Sequence, residues 1–305
     1  MQEVSQLDKA ASPLPSSRQR VLCRKIRTTD AEGVINLLSR GFRKDTTRHF
    51  WVSAFRRLSE HPTPSGLPQY GYLLESGGVP VGVILLIFTS VADGNAPRIR
   101  CNVSSWYVDP EYRAFAAMLI SCALKHKPAT YFNVSPAPNT LAILQAQGYK
   151  QFSRGRVVAV PALSPRARGY RVETVTPQIL PGDELTPFER SLLRTHAEYG
   201  CLSLICHAGH DCHPFVFALG RKRGLLCAYL IYCRSIENFV RFAGTLGRFL
   251  AWRGIPLVIL DANAPIPGLI GVYSDGHPKY FNGPPDQPRP GDLSYSELAM
   301  FGVPF

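Results

Sequence analysis

Trp106-Tyr107-Val108-Asp109-Pro110-Glu111-Tyr112-Arg113-Ala114-Phe115-Ala116-Ala117-Met118 is the stretch that decides the fold. It closes a strand-like run over 98–108, and proline, which has no N–H to give a ladder, ends that run at Asp109-Pro110. Residues 112–126, rich in Ala, Met, Leu and Ile, read as a helix. A strand cut off in this way is expected to part from its neighbour at Asp109-Pro110. The backbone groups of Trp106, Tyr107 and Val108 would then be open to an extended, amide-bearing ligand. The first N–H groups of the following helix suit a diphosphate. Small residues let the backbone come close, and Arg113 adds a fixed positive charge.

Upstream, Thr29-Asp30 caps an apolar rhythm at Val34, Leu37 and Leu38 that predicts a helix ending near Gly41. A second helix carries Phe50, Trp51, Ala54, Phe55 and Leu58 on one face. Two strands, 70–75 and 79–90, are joined by Ser76-Gly77-Gly78, a tight hairpin signal. A loop at 93–97 leads into the strand at 98–108. Downstream, 130–134 reads as a short strand, 139–147 as a short helix, and Gly148-Tyr149 opens a last strand toward Val160. A meander followed by crossovers predicts an α/β fold, with a mixed, mostly antiparallel sheet flanked by helices.

Residues 161–168 (PALSPRAR) read as a linker, and beyond them the pattern partly recurs. Residues 170–175 are strand-like. Thr186 and Glu189 are spaced as a capping box ahead of a helix over 186–199. Strands at 215–219 and 225–232 flank a hairpin, a long helix covers 236–253, and 256–260 is a short buried strand. From Ala262 the chain reads as irregular, ending in a short helix over 295–301. The expected organisation is a lead-in (1–22), a first domain (23–160), a linker (161–169) and a second α/β domain (170–305). The second domain reads as a worn copy of the first lacking one strand–loop–helix element, against the alternative of an unrelated α/β unit.

Taken with their spacing, Val108, Pro110 and Arg113 resemble the signature of the GNAT superfamily of acyl-CoA-dependent N-acyltransferases: a Val-x-Pro step, then Arg or Gln, then small residues. Gly77-Gly78-Val79-Pro80-Val81-Gly82 is similar to that family's hairpin, and Asn139 through Gly148-Tyr149 to its final helix and strand start. The resemblance spans about residues 23–158. It departs at Ala116, where the family usually has Gly, and at Met118, where it usually has Gly or Ala, and Met118 would have to point inward. The resemblance implies acetyl-CoA or a longer acyl-CoA as donor, held by Trp106, Tyr107, Val108, Arg113, Ala114, Phe115, Ala116, Ala117, Met118 and Asn139.

The catalytic half of the pattern is thinner. Many members place a base Glu on the parting strand and an acid Tyr on the last helix. Here 98–108 holds no carboxylate, and the Tyr position is Leu144. Asn133, Ser135 and Tyr149 remain as candidates near the reacting centre. Positioning alone supplies much of the rate in thioester aminolysis.

The run CLSLICHAGHDCH at 201–213 is dense in thiols and imidazoles but lacks paired CxxC spacing, so no metal is expected. No Gly-rich nucleotide loop and no GxSxG elbow occurs. Asp261, at the end of the strand 256–260, reads as a local cap.

The 305 residues are 45% hydrophobic and 18% charged, a globular composition, and carry a formal net charge of +12. No run nears the ~20 apolar residues of a membrane span, the N-terminus lacks a secretory core, and the eight Cys read as reduced thiols of a cytoplasmic protein. The positive charge suits an anionic partner. The expected activity is transfer of an acyl group from acyl-CoA to an amine acceptor, small or carrier-bound. Two alternatives stand beside it. One is a transferase drawing on tRNA or acyl carrier protein, the only case that brings in nucleic acid. The other is a non-catalytic module that binds a CoA ester or a protein partner.

Overall fold

The computed structural model describes residues 20–42, 46–92, 97–165, 169–178, 184–222, 224–283 and 288–302. Most of the expected lead-in, the loop at 93–96 and residues 166–168 of the expected linker lie outside them.

The first half runs β1 (Val21–Lys25), α1 (Ala31–Gly41), α2 (Arg48–Glu60), β2 (Gly71–Ser76), β3 (Val79–Val91), β4 (Arg98–Val108), α3 (Ala116–Ala123), β5 (Ala129–Asn133), α4 (Leu141–Ala146) and β6 (Lys150–Ala159). The second half runs β7 (Tyr170–Val175), α5 (Pro187–Glu198), β8 (Leu202–Ala208), β9 (Asp211–Lys222), β10 (Leu225–Cys233), α6 (Ile236–Ala251), β11 (Leu257–Ala262), β12 (Gly271–Asn282) and α7 (Glu297–Met300).

All of these strands join one sheet, in the order β1-β2-β3-β4-β5-β12-β6-β11-β10-β9-β8-β7. Every pairing is antiparallel except β4–β5 and β10–β11, which occupy equivalent places in the two halves. The halves therefore repeat one topology. Their last strands are exchanged: β6 pairs with β11, while β12 lies between β5 and β6.

The second half is more complete than its sequence pattern predicts. The Cys/His run is the β8–β9 hairpin, which supplies the strand expected to be missing. The segment beyond Ala262, expected to be irregular, holds β12. Gly271, Gly276 and Pro278 disguise this strand, and its register slips between Asp275 and Tyr280.

The unbroken apolar run of β3 follows from burial on both faces. Val83, Leu85 and Ile87 enter a core with α1, α2, α5 and α7, while Ile84, Leu86 and Phe88 enter another under α3 and α4. A third core lies under α6 on that second face. Gly77 and Gly78 have φ of 57° and 82°, the left-handed pair that the β2–β3 hairpin demands. Thr186 and Glu189 form the expected reciprocal cap on α5. Gly82 leaves room for α3: a Cβ there would stand 3.3 Å from Leu119 and 3.0 Å from Leu74.

Candidate active site

β4 and β5 run in parallel register only from Ile99 opposite Ala129 to Asn102 opposite Phe132. Past that point they part, so the fork opens at Val103 and not at Asp109-Pro110. The cause lies on the opposite edge of β4. There the register with β3 jumps from Ser104 opposite Leu85 to Tyr107 opposite Val83, leaving Ser105 and Trp106 to face the single residue Ile84. Ser105 takes a φ of 49° to make this bulge. An inserted residue sharpens the local twist and swings the strand away from its neighbour. On the other arm, β5 stops at Asn133, and Pro136 and Pro138 supply no donors beyond it. Among the described residues, one backbone edge of 103–108 therefore has no strand beside it.

A cavity runs through this fork, leaving about 900 Å³ free of protein atoms, part of it open to solvent. Phe42, Phe50, Trp51, Glu297 and Phe301 line it on the α1–α2 face. Ile120, Ala123, Leu124, Thr140, Leu144 and Tyr149 line it on the α3–α4 face. Val103, Ser104, Ser105, Trp106, Asn133 and Ser135 form the neck between them. The cavity thus passes from one layer of the protein to the other through a gap in the sheet. Two donors in its wall, the indole N–H groups of Trp51 and Trp106, are buried without a hydrogen-bond partner.

Glu297 is the residue that sequence reasoning missed. It arrives from α7, 162 residues after Ser135, and its carboxylate accepts a hydrogen bond from the Ser135 hydroxyl. Its backbone N–H donates to Asn102 Oδ1 at 3.4 Å. Burial pushes its carboxyl above the ordinary range, opposed by the hydroxyls of Ser104 and Ser135 and by the charge of Lys279. Lys279, on β12, is itself buried; it donates to the Val134 carbonyl at 2.9 Å and pairs with Asp261 at 3.3 Å. Asp261, read as a local cap, also accepts from the Tyr229 hydroxyl.

The tail that carries Glu297 also fills the equivalent fork of the second half. β10 and β11 pair only from Cys227 opposite Leu257 to Tyr229 opposite Ile259. Beyond them the Cys233 N–H donates to the Gly291 carbonyl at 2.9 Å, and the Leu293 N–H to the Ile231 carbonyl at 2.7 Å. The second fork is closed by the chain itself, while the first is open.

Asn133, Ser135 and Tyr149 all line the open cavity, and so does Trp106. Burial raises the Tyr149 phenol well above its ordinary pKa. Tyr107 and Val108 remain paired to β3, and the Tyr107 hydroxyl donates to Asp109 Oδ1 at 3.1 Å. The segment Pro110–Phe115 is a 3-10 helix in which the Tyr112 N–H already donates to the Asp109 carbonyl, so part of the expected phosphate-facing backbone is satisfied internally. Arg113, Ala114 and Ala117 are exposed and Ala116 is half-buried. Phe115 and Met118 point outward, at 38% and 37% exposure, rather than inward as expected of Met118. Asn139 lies in a 3-10 turn before α4, with its side chain outside the described atoms.

Among the described residues, no group of three or more His, Cys, Asp or Glu is placed to hold a metal ion, and no helix is long and apolar enough to cross a membrane. The eight thiols are unpaired.

No protein-family model and no curated protein matches the sequence. Solved structures do match. A GCN5-related N-acetyltransferase from Anabaena variabilis superposes with a TM-score of 0.58 at 12% identity, over 86% of this chain and 72% of the other. One from Kribbella flavida gives 0.55 at 14% identity, over 87% and 71%. A Pyrococcus horikoshii protein gives 0.56 at 12% identity, over 94% and 97%. The chain has the GNAT fold. Within that fold, the parallel pair that parts at a bulge is β4–β5, and the same element recurs, plugged, at β10–β11.

Proposed function

We propose that the protein is an N-acyltransferase that moves an acyl group from an acyl-CoA thioester to an amine. The observation that carries this reading is the cavity crossing the sheet at the β4–β5 fork. Two substrates can approach one point from opposite faces, which is the arrangement that turns a bimolecular acyl transfer into an effectively intramolecular one. The open edge of 103–106 matches the spaced amides of a pantetheine arm in the manner of an added strand. The α3–α4 face is the donor side. Beyond the neck, the exposed Arg113 supplies a fixed positive charge for a diphosphate. The α1–α2 face is the acceptor side. A net charge of +12 favours arrival of an anionic donor.

A thermal-shift titration with acetyl-CoA, octanoyl-CoA and free CoA tests the donor site, because a ligand that binds only the folded state raises the unfolding midpoint with dose. Release of free thiol in the presence of an amine then tests catalysis. Binding without thiol release would mark a non-catalytic CoA-ester module, and the absence of any shift would remove the donor site.

A further inference from the structure

The acceptor side has a chemistry of its own. Phe50 meets Trp51 edge-on at 4.9 Å, Trp51 meets Phe42 at 5.5 Å, and Phe301 of the tail approaches Phe50 at 6.4 Å. These four rings wall the cavity on the same face from which Glu297 reaches the neck. Such a wall accepts an apolar body, and ring faces favour a cationic group over a neutral polar one. The Trp51 indole N–H, buried without a partner, is a further sign that this wall is built to face a ligand. The neck needs a proton acceptor, because a primary amine is an ammonium ion at neutral pH and cannot attack a carbonyl until it gives up a proton. β4 supplies no carboxylate along its whole length.

Resting on the acyltransferase reading, we propose that Glu297 takes the proton from a primary amine whose apolar body lies among Phe42, Phe50, Trp51 and Phe301. The ammonium gives one proton to the Glu297 carboxylate. The freed nitrogen lone pair forms the C–N bond at the thioester carbonyl, and the C–S bond breaks with its electron pair leaving on sulfur. The second nitrogen proton passes to that thiolate, and protonated Glu297 returns its proton to solvent. The products are an amide, free CoA thiol and one proton. Ser104 and Ser135 hold the carboxylate, Asn102 holds its backbone, and Lys279 on β12 is the charged group set against it. Burial brings the carboxyl closer to neutrality, the range in which a general base works best.

The test compares the full-length protein with Glu297→Gln. Binding of acetyl-CoA and octanoyl-CoA is followed by thermal shift, and thiol release with phenethylamine or ethanolamine as acceptor. The expected result is unchanged acyl-CoA affinity, a kcat loss of about 100-fold or more in the variant, and kcat/KM at least about tenfold higher for phenethylamine than for ethanolamine. Donor binding with equal kcat in the two proteins would overturn the role of Glu297. Donor binding with no thiol release from phenethylamine would overturn the acceptor class. If neither donor binds the wild type, the acyltransferase reading falls and takes this proposal with it. Should Glu297→Gln fail to fold, the wild-type pH profile decides. kcat falling on the acid side as a carboxyl is protonated supports the proposal, and kcat with no acid limb down to the pH at which the protein unfolds overturns it.

Discussion

The imidazole of His196 and the backbone of Tyr295 are joined across 99 residues: the Tyr295 N–H donates to His196 Nε2 at 3.1 Å. His196 Nδ1 in turn lies 2.8 Å from the Leu192 carbonyl, so the ring must carry its proton on Nδ1 and stay neutral. The bond pins the tail two residues before Glu297, at a position where Tyr295 itself takes a φ of 57°.

Acid should therefore release the tail. Burial lowers the His196 pKa from 6.5 to about 4. A depressed pKa in the folded state means that the stability tied to the neutral ring is complete above about pH 6.5 and is lost as pH falls toward 4. Protection factors at the amides of 293–301, taken relative to the slower intrinsic exchange in acid, should fall across that window before the sheet opens. Unchanged protection of the tail at about pH 4.5, near the acid end of that window, would contradict the assignment.

Arg100 and Asp292 hold the same tail one turn earlier, with Nη2 donating to Oδ2 at 2.8 Å. Burial alone would raise the Asp292 carboxyl, but the charge and hydrogen bond of Arg100 hold it well below the usual carboxylate range. Arg100→Ala leaves that buried carboxylate to the Ser294 donors and the charge of Arg289, and should cost about 3 kcal/mol in urea denaturation. A loss under about 1 kcal/mol would mean that the tail is held elsewhere.

Ser105 carries the bulge. Ser105→Gly should stabilise the protein by several tenths of a kcal/mol, up to about 1, because glycine adopts a φ of 49° without strain. Ser105→Val, β-branched, should cost about 1–2 kcal/mol and weaken acyl-CoA binding by closing the fork. Equal stability of the two variants would show that the bulge does not depend on this backbone conformation.

Ser135 tunes Glu297. Its hydroxyl favours the carboxylate over the acid, so Ser135→Ala should raise the Glu297 pKa further. The acid limb of the rate profile, or the carbon chemical shift of the labelled side chain, should move to higher pH. Movement to lower pH would reverse the inferred hydrogen-bond direction.

Much of this protein was legible along the chain because local chemistry leaves few options. Pro110 has no N–H with which to carry the ladder past β4, Gly77-Gly78 makes the one turn its φ values allow, and Thr186 with Glu189 forms a reciprocal helix cap from adjacent residues. The unbroken apolar run of β3 announced a strand covered on both sides. Asn133, Ser135, Tyr149 and Trp106 could be named from the order of elements, since each sits at the end of an element or beside the parting strand.

Tertiary structure decided the rest. The fork opens at Val103 because a bulge on the far edge of β4 turns the strand, and a bulge of ordinary residues leaves no composition signal. β12, interrupted by Gly276 and Pro278, is a strand only because β5 and β6 offer it edges. Glu297 stands in a short mixed stretch, read only as a terminal helix, that has no pattern pointing to the site; Arg100, His196 and Asn102 bring it to the neck. Sequence patterns record which backbone states neighbouring residues allow, whereas the meeting of groups 162 positions apart is fixed by the packing of the whole sheet.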